Sequence, residues 1–118
     1  MHSVSPRLGG VLLGATLSLL AVFSTVIAGE TATVHEVVIE KFKFIPAELA
    51  IETGDTVRWI NKDIAPHTAT GSDKSWDTKR LRKNEAGEIT FTENGRFDYF
   101  CFYHPAMKAV ILVRENTE

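Results

Sequence analysis

Near the C-terminus two extended segments hold a very short loop between them. Residues 96–101, RFDYFC, place Phe97, Tyr99 and Cys101 on one face, the period-two pattern of a half-buried strand. Residues 108–114, KAVILVR, are a mostly apolar run that reads as a closing strand. Cys101 and Met107 therefore stand at the ends of two strands, and the loop Phe102-Tyr103-His104-Pro105-Ala106 hangs from both. Whatever fold the chain adopts must present a thiol, an imidazole and a thioether, three residues apart, on a loop of fixed length.

Cys101, His104 and Met107 are donors of mixed softness. Thiolate and thioether combined with imidazole suit copper that cycles between Cu(I) and Cu(II), and one Cys, two His and a weak axial Met make up an electron-transfer copper site. The loop supplies three of these four donors, so a second histidine is required. His67 lies in the loop Asn61-Lys62-Asp63-Ile64-Ala65-Pro66-His67-Thr68, where Pro66 fixes its own φ and restricts Ala65 just before the imidazole. Such a ligand is held stiffly before any metal arrives. His35 sits in a predicted strand with no Cys, Met or second His at ligand spacing and reads as a surface or packing histidine; His2 belongs to the N-terminal segment.

That segment is Met1 to Ala28. Its first seven residues carry one positive charge, on Arg7, and residues 8–28 are uncharged and end in Val26-Ile27-Ala28, with small residues at the positions a signal peptidase reads. The pattern predicts a secretory signal over 1–28 and a mature domain over 29–118. The alternative is an uncleaved anchor, because the stretch is long enough to span a bilayer. Either way the remainder is exported, to a periplasmic or equivalent compartment, with membrane contact only where the segment is retained.

Export sharpens the cysteine count. Disulfides form in such compartments, yet the chain has one cysteine and makes no internal bridge. Cys101 is a buried inert thiol, a reactive thiol, or a thiolate protected by a metal. Beyond residue 28 the chain carries 12 basic and 15 acidic residues, a formal charge of −3, and has no nucleic-acid signature. About 90 residues suffice for one domain with a modest core.

From Thr33 the pattern is that of strands. Thr33 to Glu40 is rich in β-branched residues, and Phe42, Phe44 and Pro46 suggest an extended segment that bends at the proline. Residues 48–52 alternate, Thr53-Gly54-Asp55 is a turn signal, and 56–60 (TVRWI) reads as the next strand, so a hairpin over 48–60 is expected. Residues 87–92 alternate Ile89 and Phe91 with polar neighbours before the Asn94-Gly95 turn. Residues 70–86 lack strand period and read as a long connection. Its Lys74, Lys79, Arg80, Arg82 and Lys83 outnumber Asp73, Asp77 and Glu85; a solvated loop and a docking patch for an acidic partner are both open, as are packing and contact roles for Trp76.

Phe44-x-Pro46, Ile51-x-x-Gly54-Asp55-Thr56-Val57-x-Trp59-x-Asn61, Pro66-His67 and Phe91-Thr92-x-x-Gly95-x-Phe97-x-Tyr99-x-Cys101-x-x-His104-Pro105-x-Met107 together resemble the small blue-copper proteins, the cupredoxins. The two-residue gaps on both sides of His104 are similar to the amicyanin-like branch. The resemblance spans about 34–113. It implies an all-β, Greek-key β-sandwich of one domain, with His67, Cys101 and His104 near-trigonal around one copper ion and Met107 as long axial ligand. It further implies a monomeric one-electron carrier, not an enzyme, working between redox proteins such as a dehydrogenase donor and a c-type cytochrome acceptor. Copper delivery or storage through the same ligands is the alternative function. By analogy with other sandwiches, Tyr99 would be a packing and hydrogen-bonding corner.

Two residues depart from the amicyanin-like pattern. Thr68 stands where cupredoxins have Asn after the upstream histidine, and a hydroxyl makes fewer of the bonds that tie the ligand loops together. Tyr103 stands where proline precedes the second histidine; its N–H is expected to donate to the Cys101 sulfur, so that Tyr103→Pro would lower the reduction potential.

Overall fold

The structure is a computed structural model that describes residues 3, 5, 9–25 and 31–117. Eight strands follow one another: β1 (Val34–Glu40), β2 (Lys43–Ile45), β3 (Glu48–Glu52), β4 (Thr56–Asn61), β5 (Thr70–Gly71), β6 (Ala86–Thr90), β7 (Gly95–Phe100) and β8 (Lys108–Arg114). They form two four-stranded sheets, ordered β2-β1-β4-β6 and β3-β8-β7-β5. This is the expected Greek-key β-sandwich.

Alternation decides which side chains enter the sandwich. In β4 Val57, Trp59 and Asn61 are buried while their neighbours are half-buried. Val37 and Ile39 of β1 join them, and Ile51, Tyr99, Ile111 and Val113 close the core from the other sheet. Each aliphatic side chain so buried contributes about 1.5–3 kcal/mol.

The expected hairpin over 48–60 does not form. β3 pairs parallel with β8 and β4 pairs parallel with β1, so Thr53-Gly54-Asp55 carries the chain from one sheet to the other. The period-two pattern sets which face of each strand is buried but not which strand lies beside it, and here Ile51 and Val57 enter one core from different sheets. The crossing is pinned by Thr53 N–H to Arg114 O (2.8 Å) and by Gly54 N–H to Phe91 O (2.7 Å), with Gly54 at φ 93°. Asp55 accepts hydrogen bonds from the N–H groups of Thr33 and Glu52 and lies 2.8 Å from His35 Nε2. Burial pushes the Asp55 carboxyl up, but His35 and those two N–H groups outweigh it and hold it below its ordinary range. His35 is thus a packing histidine at the strand crossing.

Apart from β5 and from Ala86, which opens β6, residues 70–86 form the expected long connection, and Trp76 within it packs inward. Its ring stacks on Trp59 at 5.5 Å and stands edge-on to Phe91 at 5.3 Å. Gly71 makes room: a Cβ there would come within 2.7 Å of the Trp76 ring nitrogen. Tyr99 packs on Phe44 and Trp59 but does not act as a hydrogen-bonding corner. Its hydroxyl and the Trp59 ring nitrogen are buried without a well-formed hydrogen bond, and burial pushes the phenol far above its ordinary range.

Residues 9–25 carry neither strand nor helix, and no described helix is long and apolar enough to cross a membrane. The expected cleavage after Ala28 lies outside the described residues.

Candidate metal centre

The end of β7 brings Cys101 to one end of the sandwich, and β8 begins beside it, with Phe100 paired to Lys108. The loop between them is closed by its own backbone. Cys101 N–H donates to Met107 O (3.1 Å), His104 N–H to Cys101 O (3.2 Å) and Met107 N–H to His104 O (2.9 Å). Cys101 and Met107 are buried, at 0% and 7% exposure, while His104 is half-buried.

His67 arrives from the β4–β5 connection, 0% exposed. Asn61 shapes that connection from the buried end of β4. Its side-chain amide donates to Ala65 O and Leu81 O, both at 2.9 Å, and its side-chain oxygen accepts from Asp63 N–H. His67 then exchanges backbone hydrogen bonds with Leu81, which clamps the ligand loop to the long connection.

The two histidines turn Nδ1 toward the same sulfur, His67 at 3.6 Å and His104 at 3.7 Å from Cys101 Sγ. The three donor atoms lie within 4.8 Å of one another. The separation matches a shared ion: metal–nitrogen and metal–sulfur bonds of about 2.0 and 2.3 Å, opened to about 120°, place N and S about 3.7 Å apart. One thiolate and two imidazoles, with a thioether on the same loop, are a donor set that fits copper. His67, Cys101 and His104 thus come together as a cluster, and Met107 lies at the loop's far end, tied to Cys101 through the backbone.

Two contributors were not singled out from the sequence. Asp63 Oδ2 lies 2.8 Å from His67 Nε2, and the same carboxylate accepts Lys41 N–H (2.7 Å) and Phe42 N–H (2.9 Å). Burial raises the Asp63 carboxyl, but the Phe42 N–H, the His67 ring and the Lys41 N–H together hold it below its ordinary range. An ionised carboxylate only accepts, so Nε2 carries the His67 proton and Nδ1 keeps its lone pair for a metal. The signal available in the sequence was the rule that a ligating histidine needs a partner for its other nitrogen, and Asp63 is the acid in the same loop. Lys41 and Phe42 both adopt left-handed backbone, φ 53° and 57°, a conformation that costs of order 1–3 kcal/mol per non-glycine residue. Held there by Asp63, the Phe42 ring stands edge-on to His67 (5.2 Å) and to His104 (4.9 Å).

The expectation for Tyr103 is corrected, and the hydroxyl of Thr68 makes one hydrogen bond between the ligand loops. The donor to Cys101 Sγ is the backbone N–H of Thr68, at 3.4 Å, while the Tyr103 N–H makes no hydrogen bond among the described residues. Its ring is 44% exposed and rests edge-on against Phe102. Thr68 does tie the two loops together, because its hydroxyl accepts the Phe102 N–H at 2.8 Å. Hydroxyl reach depends on how closely two loops approach, which the residue type does not reveal.

The chain matches the cupredoxin-like domain family over residues 12–113. It is 37% identical to the amicyanin of Paracoccus versutus over 81 residues, covering 64% of this chain and 61% of that protein. With amicyanin-alpha of Methylorubrum extorquens it shares 35% identity, covering 66% and 70%. The aligned part thus spans about three-fifths of the Paracoccus relative. Among solved structures, an oxidised single-residue variant of amicyanin superposes with a TM-score of 0.64 at 33% identity, over 68% of this chain and 81% of that one. A copper-containing nitrite reductase from Thermus scotoductus superposes at 0.65 with 32% identity, over 70% of this chain but only 22% of the enzyme.

Proposed function

The chain belongs to the cupredoxin-like family, and we propose that it is an exported one-electron carrier in which His67, Cys101, His104 and Met107 hold a single copper ion. The observation that carries this reading is the convergence of both histidine Nδ1 atoms on the Cys101 sulfur at 3.6 and 3.7 Å. Copper bound there supplies a one-electron couple between Cu(I) and Cu(II). The protein's part is to keep the donors still. Asp63 fixes the His67 ring, three backbone hydrogen bonds close the 101–107 loop, and Thr68 joins that loop to the His67 loop. Donors that barely move between oxidation states keep the rearrangement cost of electron transfer small.

His104, half-buried, is the histidine through which electrons would pass to a partner. Phe42, Phe102 and Tyr103, 50%, 65% and 44% exposed, surround it with apolar surface suited to a small, quickly released redox contact. Exposed Lys41, Lys62, Arg82, Lys83 and Lys108 lie near the strand ends that carry the site, since Ile39 pairs with Asn61, Ile60 with Ala86 and Phe100 with Lys108. A basic rim around an apolar centre favours partners with acidic docking faces, and a dehydrogenase donor and a c-type cytochrome acceptor fit that role.

Addition of Cu(II) to the 29–118 protein tests the reading. An intense blue colour, absent in Cys101→Ser, and a reversible one-electron wave are expected. A colourless complex that loses its metal to a weak chelator would instead support copper delivery.

A further inference from the structure

A line of polar groups leads away from the ligand loop into the long connection, and none of them is a metal donor. Phe102 N–H donates to Thr68 Oγ1 at 2.8 Å; Thr68 Oγ1 and Thr70 Oγ1 are 2.8 Å apart; Thr70 Oγ1 donates to Asp77 Oδ1 at 3.2 Å. Thr68 and Thr70 are buried, at 4% and 5% exposure. The direction of the line follows from its two ends. Asp77 Oδ1 also accepts the Lys79 N–H at 2.8 Å, so it is an acceptor and Thr70 gives it a proton. Thr70 Oγ1 then accepts from the Thr68 hydroxyl, which points the Thr68 hydrogen at Thr70 and turns a lone pair toward the Phe102 N–H. Every donor points toward Asp77, and bonds aligned in this way strengthen one another.

Thr68 is the hinge of the line, because its backbone N–H is the group placed on Cys101 Sγ at 3.4 Å. We propose that Thr70 and Asp77 are positioning residues that act through Thr68, locking its hydroxyl so that its N–H stays on the Cys101 sulfur and thereby raising the reduction potential. An N–H at the sulfur favours the oxidation state with more negative charge on sulfur, which is the reduced one. Thr68 alone has one hydroxyl hydrogen that can rotate, including toward the Phe102 N–H. The Thr70–Asp77 extension holds that hydrogen on Thr70, so that a Thr68 lone pair stays aimed at Phe102. The inference rests on the copper reading, but its first arm does not need the metal.

The test compares Thr70→Val, which keeps the shape and removes the hydroxyl, with Thr70→Ser, which keeps the hydroxyl. In the metal-free protein, amide hydrogen exchange at Phe102 is expected to quicken at least tenfold in Thr70→Val while the β4 amides keep their protection; Thr70→Ser should stay near wild type. In the copper-loaded protein, Thr70→Val should have a lower reduction potential and Thr70→Ser should not. If Thr70→Val fails to fold, Asp77→Ala removes the terminal acceptor at a position 30% exposed and should shift both readouts the same way. Unchanged Phe102 exchange, or faster exchange with an unchanged potential, overturns the proposal. A protein that shows the exchange difference but never turns blue refutes the carrier reading and leaves the hydrogen-bond line standing.

Discussion

Replacing Asp63 by Asn changes one atom of a group that serves three donors. Oδ1 accepts the Lys41 N–H, and Oδ2 accepts both the Phe42 N–H and the His67 ring. An Asn amide has a single acceptor oxygen. Placed at the Oδ2 position it still serves Phe42 and His67 but turns its NH2 toward the Lys41 N–H; in the other orientation two donors are opposed. The first orientation is therefore expected.

The Lys41 bond is then lost at a site open to water, which costs about 0.5–1 kcal/mol. The other two bonds lose their charge assistance. The part-buried His67 bond weakens by about 1 kcal/mol and the exposed Phe42 bond by less, since bonds to charged groups contribute about 1.5–3 kcal/mol against about 1 for neutral ones. Metal-free Asp63→Asn should accordingly be about 2 kcal/mol less stable than wild type. Loss of a carboxylate behind a ligating histidine typically lowers metal affinity 10–100-fold, and with one acceptor retained the low end is expected. Urea unfolding of the metal-free protein, followed by the fluorescence of Trp59 and Trp76, reads the first quantity; competition against a copper chelator reads the second. Stability within about 0.5 kcal/mol of wild type, together with affinity within twofold, would refute this account of Asp63.

Gly71→Ala should destabilise the sandwich by about 1–3 kcal/mol, because the added methyl meets the Trp76 ring at 2.7 Å; a shifted Trp emission and a lower Tm would show it. The Asp55 carboxyl is held below its ordinary value of 3.8 in the folded protein, so its contribution to stability is fully present above that value and is lost as pH falls through the depressed one. Asp55→Asn should therefore be less stable at neutral pH and show a flatter decline below pH 4 in acid titrations of urea stability. Tyr103→Pro removes an N–H that has no acceptor among the described residues, so potentiometry should find no fall in reduction potential.

Much of the candidate site was legible because it is local. Cys101, His104 and Met107 lie within seven residues, and the strands on either side show their buried faces through alternation. His67 required a longer step, taken from the stiffening Pro66 and the need for a second imidazole. Asp63 and Phe42 escaped notice because their roles depend on a left-handed turn after β1 meeting a loop about 20 residues later, and neither residue type marks that meeting.

By itself, then, the sequence determined donor types, their order and the inward face of most strands, since each is set by neighbours a few residues apart. The tertiary structure decided what depends on distant backbone meeting at hydrogen-bonding distance. β3 and β4 entered different sheets although a turn signal joins them. Trp76 went inward because Gly71 leaves space for it. The sulfur took its N–H from Thr68, 33 residues away, instead of from Tyr103 in its own loop. Composition and period encode burial, whereas a hydrogen bond requires position and direction together, and only the packed sandwich fixes both.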